Sequence, residues 1–345
     1  MSSPAEFIAP GEQPWSIEHP FTEIERLFIF RRPFDSLNRS AVRAHSTVQQ
    51  VQKERRHFDA LNLPAEVIEL NTSVDIQDTV HEFNRYGISK HDAVMAIGGD
   101  GIASNTNAAA QRAGFDGPIV HVGRGNACDM AHMLFRGRDI RQPVGSMLRS
   151  RLVDIYTLDI TTDKPEIGTG AVAINASGYL SFGRFIHDVT QEVGSRTFRA
   201  KTENMGELAK LQAETAMMLG KLGCSAQVIL KDDCGSKREV SDVVFPNGQR
   251  MAKKVRFGGV NLLRPGFGRL ELSRSTAPAV LWGLGKATVG AFKHFKPEET
   301  YAFSLSNEDE SPVVGQRDGE LVSYPSGTEF TISLSDRTVS LATTR

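Results

Sequence analysis

The stretch His91–Ala110, HDAVMAIGGDGIASNTNAAA, places the tightest constraint on the fold. Ala93 to Ile97 is a short apolar run of strand type and Asn105 to Arg112 is alanine-rich and reads as a helix. Gly98, Gly99 and Gly101 therefore fall in a strand-to-helix turn. Such a turn suits phosphate: glycines let the backbone approach a ligand closely, and the unpaired N–H groups of a helix start present partial positive charge to an anion. The turn carries an aspartate, Asp100, where a phosphate loop more often has a lysine. A carboxylate beside phosphate oxygens is repulsive unless Mg²⁺ bridges the two or the carboxylate takes a proton from an attacking hydroxyl. Gly-Gly-Asp-Gly alone fits a plain tight turn equally well, so the rest of the chain has to separate the two readings.

The surroundings of the turn alternate. Behind a leader of residues 1–24, Arg26 to Phe30 reads as a strand, Ala41 to Leu61 as a helix, Glu66 to Leu70 as a strand and Ile76 to Tyr86 as a helix. After the third strand, Ala93 to Ile97, the pattern continues with Asn105 to Ala113, Pro118 to His121 and Met130 to Leu134. This is the signature of a parallel sheet covered by helices, and it predicts an α/β domain over residues 25–151. From Leu152 strand-like segments follow one another (VDIYTLDIT, TGAVAINAS, REVSDVVF, TYAFSL, EFTISL, RTVSLAT), many alternating apolar and polar residues. They predict an all-β, sandwich-like second domain over residues 152–345, whose last residues return to the first domain. Two helical inserts, Asn204 to Leu222 and Pro278 to Phe295, interrupt it.

Composition narrows the function classes. The 345 residues suffice for two cores, and 40 basic against 41 acidic residues give a net charge of −1, which offers no nucleic-acid footprint. Three cysteines, Cys128, Cys224 and Cys234, lack metal-ligand spacing and fit a reducing compartment. No run of 18 apolar residues and no signal-like start occur, so the expectation is a cytoplasmic protein. The histidines, His121 and His132 among them, are scattered and suit structural roles better than metal binding.

Four segments, in order, carry a resemblance: Gly98-Gly99-Asp100-Gly101; GRGNACDMA, Gly123 to Ala131; INASGYLSFG, Ile174 to Gly183; and Asp318-Gly319-Glu320. With an α/β half preceding a β half, the chain resembles the diacylglycerol kinase catalytic-domain family, which includes bacterial lipid kinases, sphingosine kinases and ceramide kinases and, more distantly, the NAD kinases. The resemblance covers most of residues 25 to 345. Within GRGNACDMA two alignments are open, one ungapped and one with a two-residue insertion, and Asp129 matches the family's aspartate in both.

The resemblance implies an ATP- and Mg²⁺-dependent kinase acting on a hydroxyl of a diacylglycerol, sphingoid or ceramide-like acceptor. Thr72, Gly98, Gly99, Asp100, Gly101, Gly123, Arg124, Gly125 and Asn126 are then the nucleotide residues, with Arg31 and Arg32 as further phosphate candidates. Asp100, Asp129 and Asp154, the last in Val153-Asp154-Ile155, are the Mg²⁺ candidates. Glu320 is the candidate general base, a role given to Asp100 in some relatives. Asp318-Gly319 alone also fits a hairpin turn.

Several positions depart from the family: Ile102 stands for its threonine, Ser104-Asn105 for Asn-Glu, FRRPFDS for Asn-Pro-x-x-Gly and His132 for a frequent arginine. Two alternatives therefore stay open, a kinase of a soluble small molecule and a non-catalytic nucleotide-binding regulator. As partners the reading expects a nucleotide and a lipid-like substrate and no nucleic acid. It leaves open a homodimer and a peripheral contact at the inner membrane face. The basic and aromatic segment Ala277 to Lys296 is the candidate for that contact, and Lys253, Lys254 and Arg256 read as a solvated face or a second headgroup site.

Overall fold

The β-rich half of the chain and its α/β half share one hydrogen-bonded sheet, joined through a long C-terminal strand. The computed structural model describes residues 24–31, 33, 44–45, 49, 65–69, 76–124, 128–135, 152–164, 171–173, 176–180, 228–251, 255–257, 260–262, 265–273, 299–317 and 320–343. Of the expected helix Ala41 to Leu61, residues 44, 45 and 49 are described and are helical. Both helical inserts of the second half lie outside the described residues.

The first half contains β1 (Arg26–Arg31), β2 (Ala65–Glu69), α1 (Ile76–Arg85), β3 (Asp92–Gly98), α2 (Asp100–Ala113), β4 (Ile119–Gly123) and α3 (Asp129–Leu134). The strands run parallel in the order β2-β1-β3-β4, with Arg31 level with Ile97 and Gly98 level with Gly123. All seven residues of β3 are buried, as expected of a central strand covered on both faces. Phe83 of α1 seats the helix on the sheet, its ring 5.3 Å from that of Phe30 and 5.4 Å from that of Phe115. At the other end Arg26 pairs with the buried Asp92 through two hydrogen bonds of 2.8 Å, fixing the register at which β1 and β3 begin.

The chain leaves β1 for β2 on one side and leaves β3 for β4 on the other. Their carboxyl ends thus diverge, and a doubly wound sheet holds its ligand in the crevice at such a switch point. Arg31 ends β1 there, and the glycine turn ends β3.

The second half comprises β5 (Leu152–Thr162), β6 (Ala171–Ala173), β7 (Ala176–Leu180), β8 (Val228–Asp232), β9 (Lys237–Pro246), β10 (Arg250–Met251), β11 (Val255–Arg256), β12 (Leu270–Ser273), β13 (Thr300–Ser306), β14 (Val313–Arg317), β15 (Glu320–Tyr324) and β16 (Thr328–Ala342). Its pairings are antiparallel, and β13 alternates buried and half-buried residues from Tyr301 onward. The core is aromatic: Phe245 and Phe303 stack at 5.0 Å, Phe303 and Phe330 at 5.1 Å, and Tyr324 stands edge-on to Phe330 at 4.8 Å.

Strand β16 pairs with β13 over Thr328 to Ser333 and, on its other edge, with β5 from Phe330 to Ala342, and it reaches β4 in parallel at Leu341, opposite Ile119. An irregularity between Leu334 and Thr338 marks the crossing from one half to the other. Helix α2 is fastened beside it. Buried Gln111 accepts from Thr157 Oγ1 at 3.1 Å and donates to Ser335 Oγ, so the element that begins at the glycine turn ends on strands of the second half.

Candidate functional site

The glycine turn converts directly into helix. Sequence pattern starts the helix at Asn105, yet α2 begins at Asp100, with Gly99 in extended conformation at its N-cap. Gly101 and the polar run Ser104 to Asn107 mask the helical signal by low propensity, and burial of almost the whole helix overrides it. Gly99 brings no side chain to cap the helix, so the first-turn N–H groups open toward the end of the sheet. Asp100 occupies that first turn and is half-buried.

The second glycine segment meets the first. Arg124 N donates to Gly98 O at 2.6 Å, continuing the β3–β4 ladder past the strand ends. Beyond it Cys128 takes a left-handed conformation at φ 53° and starts the short helix α3. Asp100 Oδ1 then accepts the N–H of Met130 at 3.0 Å, so one carboxylate stands at the starts of both α2 and α3. Gly123 is needed for this closeness: a Cβ there would lie 2.8 Å from Cys128 Cβ and 2.9 Å from Ala131 Cβ. Between the turns lies a small hollow lined by Gly98, Gly99, Asp100, His121, Gly123 and Cys128 among others.

Two features in and around this hollow carry no motif. His121 on β4 is buried and its Nε2 lies 3.0 Å from Asn107 Oδ1 of α2, tying strand to helix behind the glycine turn. Burial pushes its imidazole down to about 3, so it is neutral at physiological pH. His121 Nδ1 and Asn107 Nδ2 have no hydrogen-bond partner among the described residues. Asp129, 3 % exposed, faces the second feature, the guanidinium of Arg250 on β10, whose Nε lies 3.5 Å from Asp129 Oδ1.

Register shows how the second half reaches this place. β9 ends at Pro246, and Asn247 Nδ2 donates to Tyr156 O at 2.7 Å, holding the following chain against β5, the strand that follows the first half. Glu320 is level with Arg317, Arg317 with Ser177, and Ser177 with Phe245, two residues before Asn247. The backbone of Glu320 thus sits at the same end of the β-sheet as the segment that carries Arg250.

The expected site residues distribute accordingly. Gly98, Gly99, Asp100, Gly101, Gly123, Arg124 and Asp129 come together. Thr72, Gly125, Asn126, Arg32, Asp318 and Gly319 lie outside the described residues. Asp154 is on β5 opposite Ser340 of β16, whose hydroxyl donates to Asp154 Oδ1 at 2.5 Å. Asp100, Asp129 and Asp154 do not gather at ligand spacing: among the described residues the group of three that does so is Asp232, Asp233 and Cys234, in the β8–β9 turn. The antiparallel ladder to β16 fixes Asp154 on its own partner instead. Sequence reasoning missed Arg250, whose signal was a run of cations, RMAKKVR, one residue after the turn-forming Asn247-Gly248.

No protein-family model matches the sequence, and no curated protein matches it by sequence. Solved structures do match. A protein of Bacillus anthracis strain Sterne assigned as a diacylglycerol kinase superposes with a TM-score of 0.60 over 92 % of this chain and 96 % of its own, at 13 % identity. Two further structures from that organism with the same assignment give TM-scores of 0.58 and 0.57 over 92 % of this chain, again at 13 % identity. The chain has the diacylglycerol-kinase-like fold: parallel strands in the first half of a large mixed sheet and antiparallel strands after them.

Proposed function

We propose that the protein is an ATP- and Mg²⁺-dependent kinase that phosphorylates a hydroxyl of a lipid or lipid-like acceptor. The observation that carries this reading is the union of two glycine turns at a topological switch point, with Asp100 at the starts of two helices and a second-half arginine at its edge. A glycine turn opening a helix is suited to a triphosphate. The donor set also fits the metal, because Mg²⁺ takes one or two carboxylates together with waters and phosphate oxygens. Asp100 and Asp129 would hold it, and Asp154 enters only as a third acidic group engaged with Ser340. When bound, the ion would neutralise charge on the phosphate oxygens.

The chain's own groups have distinct tasks. Gly98 to Gly101 and Gly123 to Asn126 cradle the phosphates, with Arg124 and Arg31 beside them. Thr72, which follows β2 in sequence, is a further candidate for the nucleotide. Glu320, at the facing end of the β-sheet, accepts the acceptor's hydroxyl proton. The acceptor oxygen then forms its bond to the terminal phosphorus as the bond to the bridging oxygen breaks, giving a phosphorylated acceptor and ADP. Diacylglycerol, a sphingoid base and ceramide all supply such a hydroxyl, and the assignment of the solved neighbours favours the lipid class.

The lipid reading brings a peripheral membrane contact with it. No helix among the described residues is long and apolar enough to cross a membrane, and segment 277–296, the expected contact, lies outside them. Binding to anionic vesicles that falls with added salt tests it. The decisive experiment for the activity is incubation of the protein with radiolabelled ATP, Mg²⁺ and a panel of diacylglycerol, sphingosine and ceramide, followed by organic extraction. Label in one lipid is the expected result. Label only in a water-soluble product turns the reading to a soluble acceptor, and ATP binding without transfer turns it to a nucleotide-binding regulator.

A further inference from the structure

We infer that Arg250, supplied by the β half, contacts the terminal phosphate of the bound nucleoside triphosphate. The inference rests on the kinase reading and adds to it a residue from the opposite side of the cleft. Arg250 is held in place by its neighbours. Gln249 O accepts from Phe257 N at 3.0 Å, closing the β10–β11 hairpin, and Gln249 Oε1 accepts from Leu262 N at 3.4 Å. Phe257 and Leu262 are both buried, and Leu262 belongs to the core of the α/β half. The arginine therefore reaches Asp129 from a supported position.

Its contact with Asp129 differs from the structural arginine pairs of the molecule. Arg26 grips Asp92 through two bonds of 2.8 Å, and Arg238 grips Glu271 through two of 2.6 Å. Arg250 Nε stands 3.5 Å from Asp129 Oδ1, beyond the roughly 2.7–2.9 Å of a charge-assisted bond. The pair places a cation next to the two turns.

Chemistry favours a phosphate there. Asp100 and Asp129 bring negative charge to the place where a triphosphate must end, so a cation is needed on its outer side. A planar guanidinium matches the oxygens of a phosphoryl group and stabilises charge that develops on them during transfer. The α and β phosphates lie against the glycine turns of the first half in this reading. A residue from the second half then meets the group farthest out, which is the one transferred.

Calorimetric titration of the full chain, in Mg²⁺, with a triphosphate analogue whose terminal group cannot be transferred and separately with ADP, tests this. Arg250→Gln is expected to weaken the analogue about tenfold or more and ADP by less than about twofold. Arg250→Lys should fall between, because it keeps the charge and loses the fork; it carries the test alone if the glutamine variant does not fold. Equal weakening of both nucleotides, or of neither, overturns the inference and leaves the kinase reading standing. Failure of the wild-type chain to bind either nucleotide overturns both.

Discussion

Asp100 Oδ1 accepts the backbone N–H of Met130 at 3.0 Å, so the carboxylate of the first glycine turn also caps the helix that follows the second. This gives Asp100 two separable roles. As a cap it contributes about 0.5–2 kcal/mol, the usual worth of a side-chain oxygen at a helix start. If the proposed kinase site is right, its charge is worth far more to the rate.

Asp100→Ala and Asp100→Asn divide those roles. The alanine variant loses the cap and the charge, whereas asparagine keeps an oxygen that can accept from Met130. Both are expected to lose at least about a hundredfold in kcat, while only the alanine variant shows a lower midpoint in urea. Turnover near wild type in folded Asp100→Asn would remove the metal and base roles together.

Gly123→Ala tests the closeness of the two turns. The added methyl would press on Cys128 and Ala131 at under 3 Å, and overpacking of this kind costs about 1–3 kcal/mol. Its relief can be arranged, because Cys128 is a non-glycine residue at φ 53°. Cys128→Gly removes one of the two clashing carbons and suits the left-handed backbone. The double variant should therefore recover part of the thermal stability and nucleotide affinity lost by Gly123→Ala; no recovery would place the damage elsewhere.

Arg124 leaves the junction of the turns, with its guanidinium donating to Gly123 O at 3.2 Å. If it serves the phosphates, Arg124→Ala raises the KM for ATP about tenfold and leaves kcat within about twofold, since a charge-assisted hydrogen bond of this kind is worth about 1.5–3 kcal/mol. Initial rates at saturating acceptor measure it. An unchanged KM would make Arg124 a residue of the turn alone.

Strands β3 and β4 were legible in the sequence because burial on both faces leaves an apolar run, and the turn after β3 because its backbone is glycine-rich, whereas β4 runs to Gly123, two residues past the His121 at which the pattern ends it. The same holds for the change of texture near Leu152, where half-buried strands impose alternation. What stayed hidden depends on long-range pairing. Nothing local to Asn107 and His121 says that a buried amide will meet a buried imidazole, and nothing local to Asp154 names Ser340, 186 positions away, as its partner. Arg250 was hidden for a different reason: cations in a run look solvated, and only the contacts of the chain after β9 with Tyr156 and Asp129 distinguish it. The start of α2 was misplaced because glycine and asparagine weaken a helical pattern that burial then enforces.

His121 makes the protein's stability depend on pH in a stated direction. Its folded-state pKa is pushed down to about 3 by burial, against an ordinary value of 6.5. The unfolded chain therefore binds a proton between these values that the folded chain refuses. The stability linked to the neutral ring is complete above pH 6.5 and is lost as the pH falls from 6.5 toward 3, by at most about 1.4 kcal/mol per unit. His121→Gln removes this titration and keeps a side chain able to hydrogen-bond Asn107. Urea unfolding at pH 7 and pH 4.5 should show the wild type losing up to about 3 kcal/mol more than the variant over that interval. The other histidines and the carboxylates are common to both proteins and cancel in the difference. Parallel losses in the two proteins would mean that the ring of His121 takes up its proton without unfolding the strand-to-helix contact behind the glycine turn.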